Sequence, residues 1–198
     1  MFESARRAYE SVLSAAAAVV ARTGVHPNTL TWTSLVPAVV AGVAAANGVF
    51  FLAAILLLCS GLFDLLDGAL ARSTGKATKF GALLDSTLDR LSDAAVPAGL
   101  AVVYAPYGLV VLVPVLLIAG SFLVSYVRAR AEGLGMDLPR LWMRREDRMA
   151  IMLLGLVIAP IPLPGLAVPA PILLLIVGLL AVLSFAAAIA ALAAGRRA

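Results

Sequence analysis

The chain has few of the side chains on which most soluble enzymes rely: among its 198 residues are one cysteine, one histidine and only 13% charged residues. A single cysteine excludes a disulfide framework within the chain. Cys59 lies inside an apolar run, where we expect it to pack as a small apolar side chain, and His26 precedes Pro27 in a loop, where we assign it no catalytic role. Because soluble domains are about one quarter charged, the scarcity of charge excludes an ordinary soluble domain.

Long apolar blocks fill the rest of the chain. Hydrophobic residues make up 63% of it, and its mean hydropathy is +1.05. A membrane-spanning helix needs roughly 20 apolar residues, so a chain of this length accommodates about six spans with short connections. The sequence therefore predicts a single all-α integral membrane domain over residues 1–198. We do not expect the first ten residues, MFESARRAYE, to be a signal peptide, because they carry acids among the basic residues.

The polar breaks divide the chain into one surface helix and six transmembrane helices. Residues 2–21 mix Arg6, Arg7 and Glu10 with small apolar residues, which predicts a short N-terminal amphipathic helix lying along the membrane interface. The segment HPNT at 26–29 breaks the chain, with Asn28 or Thr29 as the expected helix cap. The spans are then predicted at about 30–46, 50–72, 80–104, 109–130, 148–159 and 172–194.

The charges predict the orientation of these spans. The connections at 47–48, 105–108 and 160–171 carry no charge, and basic residues collect at the opposite helix ends. Because basic loops stay in the cytoplasm, we expect a plasma-membrane protein with both termini and the acidic cluster on the cytoplasmic side. Trp142 is expected to be an interfacial anchor. The basic residues in question are Arg6, Arg7, Arg22, Arg72, Lys76, Lys79, Arg128, Arg130, Arg140, Arg144, Arg145, Arg148, Arg196 and Arg197.

Four aspartates stand next to these apolar blocks, where charge is costly and therefore suggests function. Asp64 and Asp67 end the second span, and Asp85 and Asp89 follow the short linker into the third. Residues three or four apart share a helix face. We expect the two helices to be antiparallel neighbours whose acidic faces meet at the cytoplasmic end. Carboxylates so placed repel one another, and hard divalent cations such as Mg²⁺ or Mn²⁺ would compensate them.

The stretches DLLDGALAR (64–72) and GALLDSTLDR (81–90) resemble the signature of the CDP-alcohol phosphotransferase family. That signature is D, two residues, D-G, two residues, A-R, eight residues, G, three, D, three, D. The HPNTLT segment is similar to the P-N-x-x-T segment of the family, which extends the resemblance over most of the chain. The chain matches every signature position, at Asp64, Asp67, Gly68, Ala71, Arg72, Gly81, Asp85 and Asp89.

The resemblance implies transfer of a phosphatidyl-type group from a CDP-linked lipid to an alcohol, with release of CMP. It also implies that the four aspartates bind two divalent cations, Mg²⁺ or Mn²⁺, that Asp89 is the general base, and that the protein is a homodimer. The expected partners are the CDP-lipid, a soluble phosphorylated alcohol and membrane lipids, with no nucleic acid. The positions implied to bind the CDP-lipid are Asn28, Thr29, Gly68, Arg72, Thr78 and Gly81.

A second basic cluster bears on the choice of alcohol. Arg128 ends the fourth span, and Arg145 and Arg148 lie three apart at the start of the fifth. These arginines either set the topology or bind the phosphate of the acceptor. Resemblance to the branch that uses inositol 1-phosphate favours phosphate binding, although Arg128 stands where a lysine is common and REDR (145–148) replaces an R-P-E-R-like segment.

Several alternatives remain at this stage. Within the enzyme class, glycerol 3-phosphate as acceptor would make the protein a phosphatidylglycerophosphate synthase. A phosphatidylserine-type activity is less favoured, because its acceptor carries no phosphate for the arginines to bind. From other classes, acids in spans also occur in cation or proton carriers. Here the acids gather at one end of the spans and leave no path across the membrane. A structural scaffold would not explain the spaced signature.

Overall fold

The computed structural model describes residues 2–139, 142–165 and 167–196, over which the chain forms seven α-helices and no β-strand. The predicted all-helical class is thereby confirmed, while Arg140 and Arg197 of the basic set lie outside the described residues. The helices are α1 (Phe2–Ala21), α2 (Pro27–Ala46), α3 (Phe50–Ser73), α4 (Lys79–Tyr104), α5 (Leu112–Gly133), α6 (Arg145–Ile158) and α7 (Pro171–Gly195).

Helix α2 begins earlier than the sequence predicts. His26 is its N-cap, and the His26 Nδ1 accepts a hydrogen bond from the Asn28 amide at 3.2 Å. Pro27 occupies the first helical turn, where its missing N–H leaves no donor without a partner. The prediction that Asn28 or Thr29 caps this helix is therefore wrong, since both residues lie inside its first turn.

The chain reverses between α4 and α5. Residues 105–111 form a 3₁₀ turn in which Tyr107 and Gly108 leave the helical conformation, and Gly108 adopts a φ of +64°, which glycine tolerates. Because α4 and α5 pack against each other, the run Lys79–Gly133 is a helical hairpin that makes two passes.

The lengths of the helices fit a multi-pass membrane protein. Pro27–Ala46, Phe50–Ser73, the hairpin Lys79–Gly133 and Pro171–Gly195 are long and apolar enough to cross a bilayer. Helix α6 has 14 residues, about 21 Å, which is shorter than the roughly 30 Å of a hydrocarbon core. Each of the six predicted spans thus corresponds to a helix, and α6 alone falls short of the usual length.

Helix α2 is the common neighbour of α3 and α4. It packs extensively against both, whereas α3 and α4 contact each other only sparsely, so the two helices meet at their acidic ends, as expected, and not along their length. The α2–α4 crossing is very close, because a Cβ added to Gly42 or Gly99 would overlap the carbonyl oxygen of Ala95 or Gly42, respectively. The short linker 74–78 still holds α3 and α4 together at the end that carries the aspartates.

Helices α5, α6 and α7 complete the bundle. Their facing sides bury Leu117, Leu156, Leu173 and Leu180, among others, and α5 and α7 pack closely. At the far end from the aspartates, the buried Tyr104 donates its hydroxyl to the carbonyl oxygen of Ala170 at 3.3 Å, which ties the end of α4 to the start of α7. The aspartates therefore lie at one end of a packed bundle.

Candidate active site

Three carboxylates from two helices converge at the α3–α4 end of the bundle. Asp64 and Asp67 lie one turn apart on α3, and Asp85 lies in the second turn of α4. One carboxylate oxygen from each of the three lies within 4.8 Å of the others. The local reason is the helical period, which places residues three apart on one face, and the tertiary reason is the short linker that brings the two helix ends together.

These residues fit a divalent cation. Asp67 is 4% exposed, and its Oδ2 is buried without a hydrogen-bond partner among the described residues. A buried carboxylate oxygen without a partner is costly unless a positive charge compensates it. An all-oxygen set of carboxylates is the chemistry that Mg²⁺ and Mn²⁺ prefer. Asp64, Asp67 and Asp85 are therefore suitable ligands.

Asp89 lies one turn beyond Asp85 and is outside this group of three. A single guanidinium nitrogen, Arg145 Nη1, lies 2.5 Å from Asp64 Oδ2 and 3.0 Å from Asp89 Oδ1. Asp89 is thus next to the cluster but faces the arginines as well. Its predicted roles as fourth metal ligand and as general base stay predictions.

A cavity of about 160 Å³ opens beside the cluster. Gly68 and Gly81 lie on its wall, where an added Cβ would come 3.3 Å from Arg72 Nη1 and 3.2 Å from Asn28 Oδ1, respectively. Neither glycine is pressed against the backbone of another helix, so both keep the cavity open rather than permit a helix crossing. The residues lining this nucleotide-side cavity include Asn28, Gly68, Arg72, Thr78 and Gly81, all predicted from the sequence, together with Thr31, Asp67, Lys76, Ala82 and Asp85.

Two threonines differ from the prediction. Thr29 is exposed and is not among the described residues lining the nucleotide-side cavity, whereas the buried Thr31 is. Helix α2 starts at Pro27, so all three residues are helical. Asn28 and Thr31 are three apart and share a face, whereas Thr29 lies on a different face. Thr78 also has a structural task, since its Oγ1 accepts the Gly81 amide at 3.0 Å and caps α4.

A larger cavity of about 710 Å³ lies on the other side of Asp85. All three arginines predicted to bind the acceptor are on its wall. It shares Ala82 and Asp85 with the nucleotide-side cavity, so the two spaces meet at the acidic cluster. Lining this acceptor-side cavity are, among others, Asp64, Asp85, Asp89, Asp93, Arg128, Glu132, Trp142, Arg144, Arg145 and Arg148.

An ion-pair network organises the arginines. Asp93 accepts hydrogen bonds from Arg145 Nε at 3.3 Å and from Arg148 Nη2 at 2.6 Å. Arg148 is 6% exposed, and its Nη1 donates to the carbonyl oxygen of Met143 at 2.8 Å. The nearby Arg90 on α4 donates its guanidinium to the Ser86 carbonyl. The stripe of Asp85, Asp89 and Asp93 at four-residue spacing was the available signal for Asp93.

Comparison with known proteins points to one family. The family model described as CDP-alcohol phosphatidyltransferase matches residues 24–195. The phosphatidylinositol phosphate synthase of Streptomyces avermitilis is 36% identical over 87% of this chain and 74% of its own length. The corresponding protein of Mycobacteroides abscessus is 36% identical over 76% of this chain and 70% of its own. The archaetidylinositol phosphate synthase of Methanothermobacter thermautotrophicus is 40% identical over 64% of this chain and 63% of its own.

Solved structures show the same similarity. The Mycobacterium tuberculosis phosphatidylinositol phosphate synthase with CDP-DAG bound superposes with a TM-score of 0.81 at 31% identity, covering 93% of this chain and 94% of that one. A structure of the same enzyme in complex with manganese and citrate gives a TM-score of 0.81 at 32% identity, covering 93% of this chain and 88% of that one.

Proposed function

The chain belongs to the CDP-alcohol phosphatidyltransferase family, and we propose that it transfers the phosphatidyl-type group of a CDP-linked lipid to inositol 1-phosphate and releases CMP. As a member of this family it is a metal-dependent transferase of phospholipid biosynthesis with a multi-pass membrane fold. Membership sets aside the cation-carrier and scaffold hypotheses. The inositol phosphate acceptor rests on the arginines and on the names of the similar proteins.

The observation that carries the proposal is the meeting of two unlike cavities at one acidic cluster. The nucleotide-side cavity offers Arg72 and two glycines, which suit a diphosphate that must approach the backbone closely. The acceptor-side cavity offers several arginines, which suit an alcohol that itself carries a phosphate. Asp85 lies on both walls, so a donor phosphate and an acceptor hydroxyl would meet there.

The proposed step is a displacement at phosphorus. The acceptor hydroxyl oxygen bonds to the phosphorus that carries the lipid, and the bond from that phosphorus to the oxygen of CMP breaks. CMP leaves with the bonding electron pair, and the hydroxyl proton passes to a carboxylate oxygen of Asp89. A base within hydrogen-bond reach is useful because an alcohol is a weak nucleophile near neutral pH.

The four carboxylates would also hold the divalent cations. Asp64, Asp67 and Asp85, joined by Asp89, would bind two divalent ions, which when present neutralise charge on the diphosphate and on the departing CMP. Arg72 would orient the diphosphate from the opposite side of the nucleotide cavity, and Asn28 and Thr31 would line the way to it. We further propose that the site faces the cytoplasm at the plasma membrane and that the protein is a homodimer, as its family suggests.

The test is CMP release by the purified protein in detergent with CDP-diacylglycerol and Mg²⁺ or Mn²⁺. Inositol 1-phosphate, free inositol, glycerol 3-phosphate and serine are offered separately. Turnover with inositol 1-phosphate alone is expected. Asp89→Asn should abolish it, while Asp137→Asn, an exposed acid outside both cavities, should not.

The other outcomes discriminate between the parts of the proposal. Turnover with glycerol 3-phosphate alone would overturn the choice of acceptor and retain the reaction. Turnover with free inositol at the same rate would show that the arginines do not select a phosphate. If no acceptor reacts, the ether-linked CDP-lipid is tried next, and its failure would overturn the proposed reaction.

A further inference from the structure

Asp93 is an acid in the site for which the family signature gives no role. It lies on α4 one turn after Asp89, on the wall of the acceptor-side cavity. It is separate from the three mutually close carboxylates and is half-buried. Both oxygens of its carboxylate nevertheless accept a hydrogen bond, Oδ1 from Arg145 Nε and Oδ2 from Arg148 Nη2.

These two bonds fix the orientation of Arg145. A guanidinium has donors on two edges, and Asp93 holds the Nε edge at 3.3 Å while Nη1 points to Asp64 and Asp89. The fork geometry of arginine makes such an arrangement directional, unlike the point charge of a lysine. Asp93 therefore determines which way the Arg145 guanidinium faces in the acceptor-side cavity.

The second bond fixes the backbone that carries Arg145. Arg148, held by Asp93 at 2.6 Å, donates from Nη1 to the Met143 carbonyl at 2.8 Å. Met143 has a φ of +58°, a left-handed conformation that a residue with a side chain rarely adopts. The chain Asp93–Arg148–Met143 thus stabilises the bend from which Arg144 and Arg145 enter the cavity.

We infer that Asp93 is a positioning residue for the acceptor phosphate, acting through Arg145 and Arg148, and that it sets acceptor affinity while leaving the CDP-lipid site unchanged. This inference rests on the proposed function, because it takes the acceptor to carry a phosphate. Arg145 and Arg148 have the charge to bind that phosphate, and Asp93 supplies the geometry. Asp93 lines the acceptor-side cavity and not the nucleotide-side cavity, so its removal should affect one substrate only.

The test is the kinetics of Asp93→Asn with both substrates varied. The KM for inositol 1-phosphate should rise about tenfold, as expected when a hydrogen bond to a charged group is weakened. The KM for CDP-diacylglycerol should change less than about twofold. Inorganic phosphate should also inhibit the variant less strongly in competition with the acceptor. Asp93→Glu, which keeps the charge, should lie between the wild type and Asp93→Asn, and Asp137→Asn should match the wild type.

A mutant cycle tests the route of action. If Asp93 acts through Arg145 and Arg148, then Asp93→Asn should add little to the acceptor KM in a background that carries both Arg145→Ala and Arg148→Ala. Independent, multiplying effects would overturn the inference, as would an equal rise in both KM values. If Asp93→Asn does not fold, an unchanged acceptor KM in Asp93→Glu, despite the displaced carboxylate, would overturn it as well.

A failure of the proposed function can be distinguished from a failure of the role of Asp93. If the wild type uses glycerol 3-phosphate in place of inositol 1-phosphate, the same kinetics are measured with glycerol 3-phosphate. A selective rise in that KM would keep the role of Asp93 while the acceptor is corrected. A lack of selectivity would reject the role of Asp93 whichever acceptor is used.

Discussion

At the scale of single residues, the site places carboxylates where an apolar helix would otherwise continue. Asp67 is the most buried of the group, and its Oδ2 has no protein partner within the described part of the chain. Such a group destabilises the fold unless a cation compensates it. The buried Asp67 carboxylate is therefore the source of both the cost in stability and the capacity to bind metal.

Replacing Asp67 with asparagine separates these two effects. In a chelator, Asp67→Asn is expected to unfold at the same temperature as the wild type or higher, because it removes an uncompensated buried charge. With Mn²⁺ added, the wild type should gain thermal stability, since a ligand that binds only the folded state stabilises it, whereas the variant should not. Thermal unfolding in detergent with and without Mn²⁺ is the measurement. A variant stabilised as strongly as the wild type would contradict the role of Asp67 as a ligand.

Arg128 and Arg130 form a natural pair for testing the basic cluster. They are two residues apart on α5 and point to different sides, with Arg128 on the acceptor-side cavity and Arg130 on a separate, largely apolar cavity near Met136 and Leu192. Arg128→Ala should raise the KM for the phosphorylated acceptor about tenfold, because it removes a charged hydrogen-bond donor.

Arg130→Ala is the matched control, since it removes the same charge from the same helix end. It should change that KM less than about twofold. Kinetics with both substrates give the answer. Equal effects of the two substitutions would mean that these arginines only set the membrane topology.

The sequence predicted the residues that follow local rules. Asp64, Asp67, Asp85 and the site glycines are recognisable because the helical period and one short linker bring them together. Thr31 is the threonine of the P-N-x-x-T match, so the sequence carried a signal for it, whereas Thr29, which was predicted, does not line the cavity within the described residues. The partners of Asp93 lie 52 and 55 residues away, so only the tertiary structure, which brings the start of α6 to Asp93 on α4, reveals them.

At the scale of elements, glycines have two distinct roles in this bundle. Gly42 and Gly99 allow the backbones of α2 and α4 to touch, whereas Gly68 and Gly81 leave space for a ligand. The α2–α4 crossing matters to the site because α2 carries Asn28 and Thr31 and α4 carries Asp85. A change in this crossing would therefore move one wall of the nucleotide-side cavity relative to the other.

Gly99→Ala tests the crossing. The added methyl group would overlap the Gly42 carbonyl, so we expect a loss of about 1–3 kcal/mol in stability. For a chain of this size this corresponds to a melting temperature lower by several degrees, on the order of 2–4 °C per kcal/mol. The control is Gly133→Ala, at the end of α5, where nothing lies within 4 Å of an added Cβ and no loss is expected. Equal melting temperatures for the two variants would show that the crossing tolerates a side chain.

The helix boundaries were predictable to within a few residues, and the pairing of the helices was not. Pro27, Thr78 and Pro171 mark helix starts by known local chemistry, and the apolar runs fix the lengths. Helix α6 starts at Arg145 because the Arg144 amide donates to the Asp147 carboxylate at 2.9 Å. The many charges of this loop did not single out that contact in the sequence. The close packing of α2 against α4 depends on Gly42 and Gly99 fitting each other, which hydropathy does not reveal.

At the scale of the whole molecule, charge and chemistry are concentrated at one end of the bundle. The aspartates, both cavities and the basic residues of α3, α4, α5 and α6 lie there, while the connections at 47–49, 105–108 and 159–170 contain no charged residue. A lipid-linked donor and a soluble acceptor can meet at such a boundary, and the positive-inside rule predicts that it faces the cytoplasm.

The single cysteine makes this orientation directly measurable. In a Cys59→Ala background, one new cysteine is placed at Asn47 or Tyr107, between helices at the uncharged end, or at Lys76 or Asp137, between helices at the charged end. A membrane-impermeant maleimide added to intact cells should label Asn47→Cys and Tyr107→Cys only, and permeabilised cells should show all four. The reverse pattern would place the acidic cluster outside the cell. A soluble phosphorylated alcohol from the cytoplasm would then have no access to Asp89, and the proposed acceptor would have to be abandoned together with the orientation.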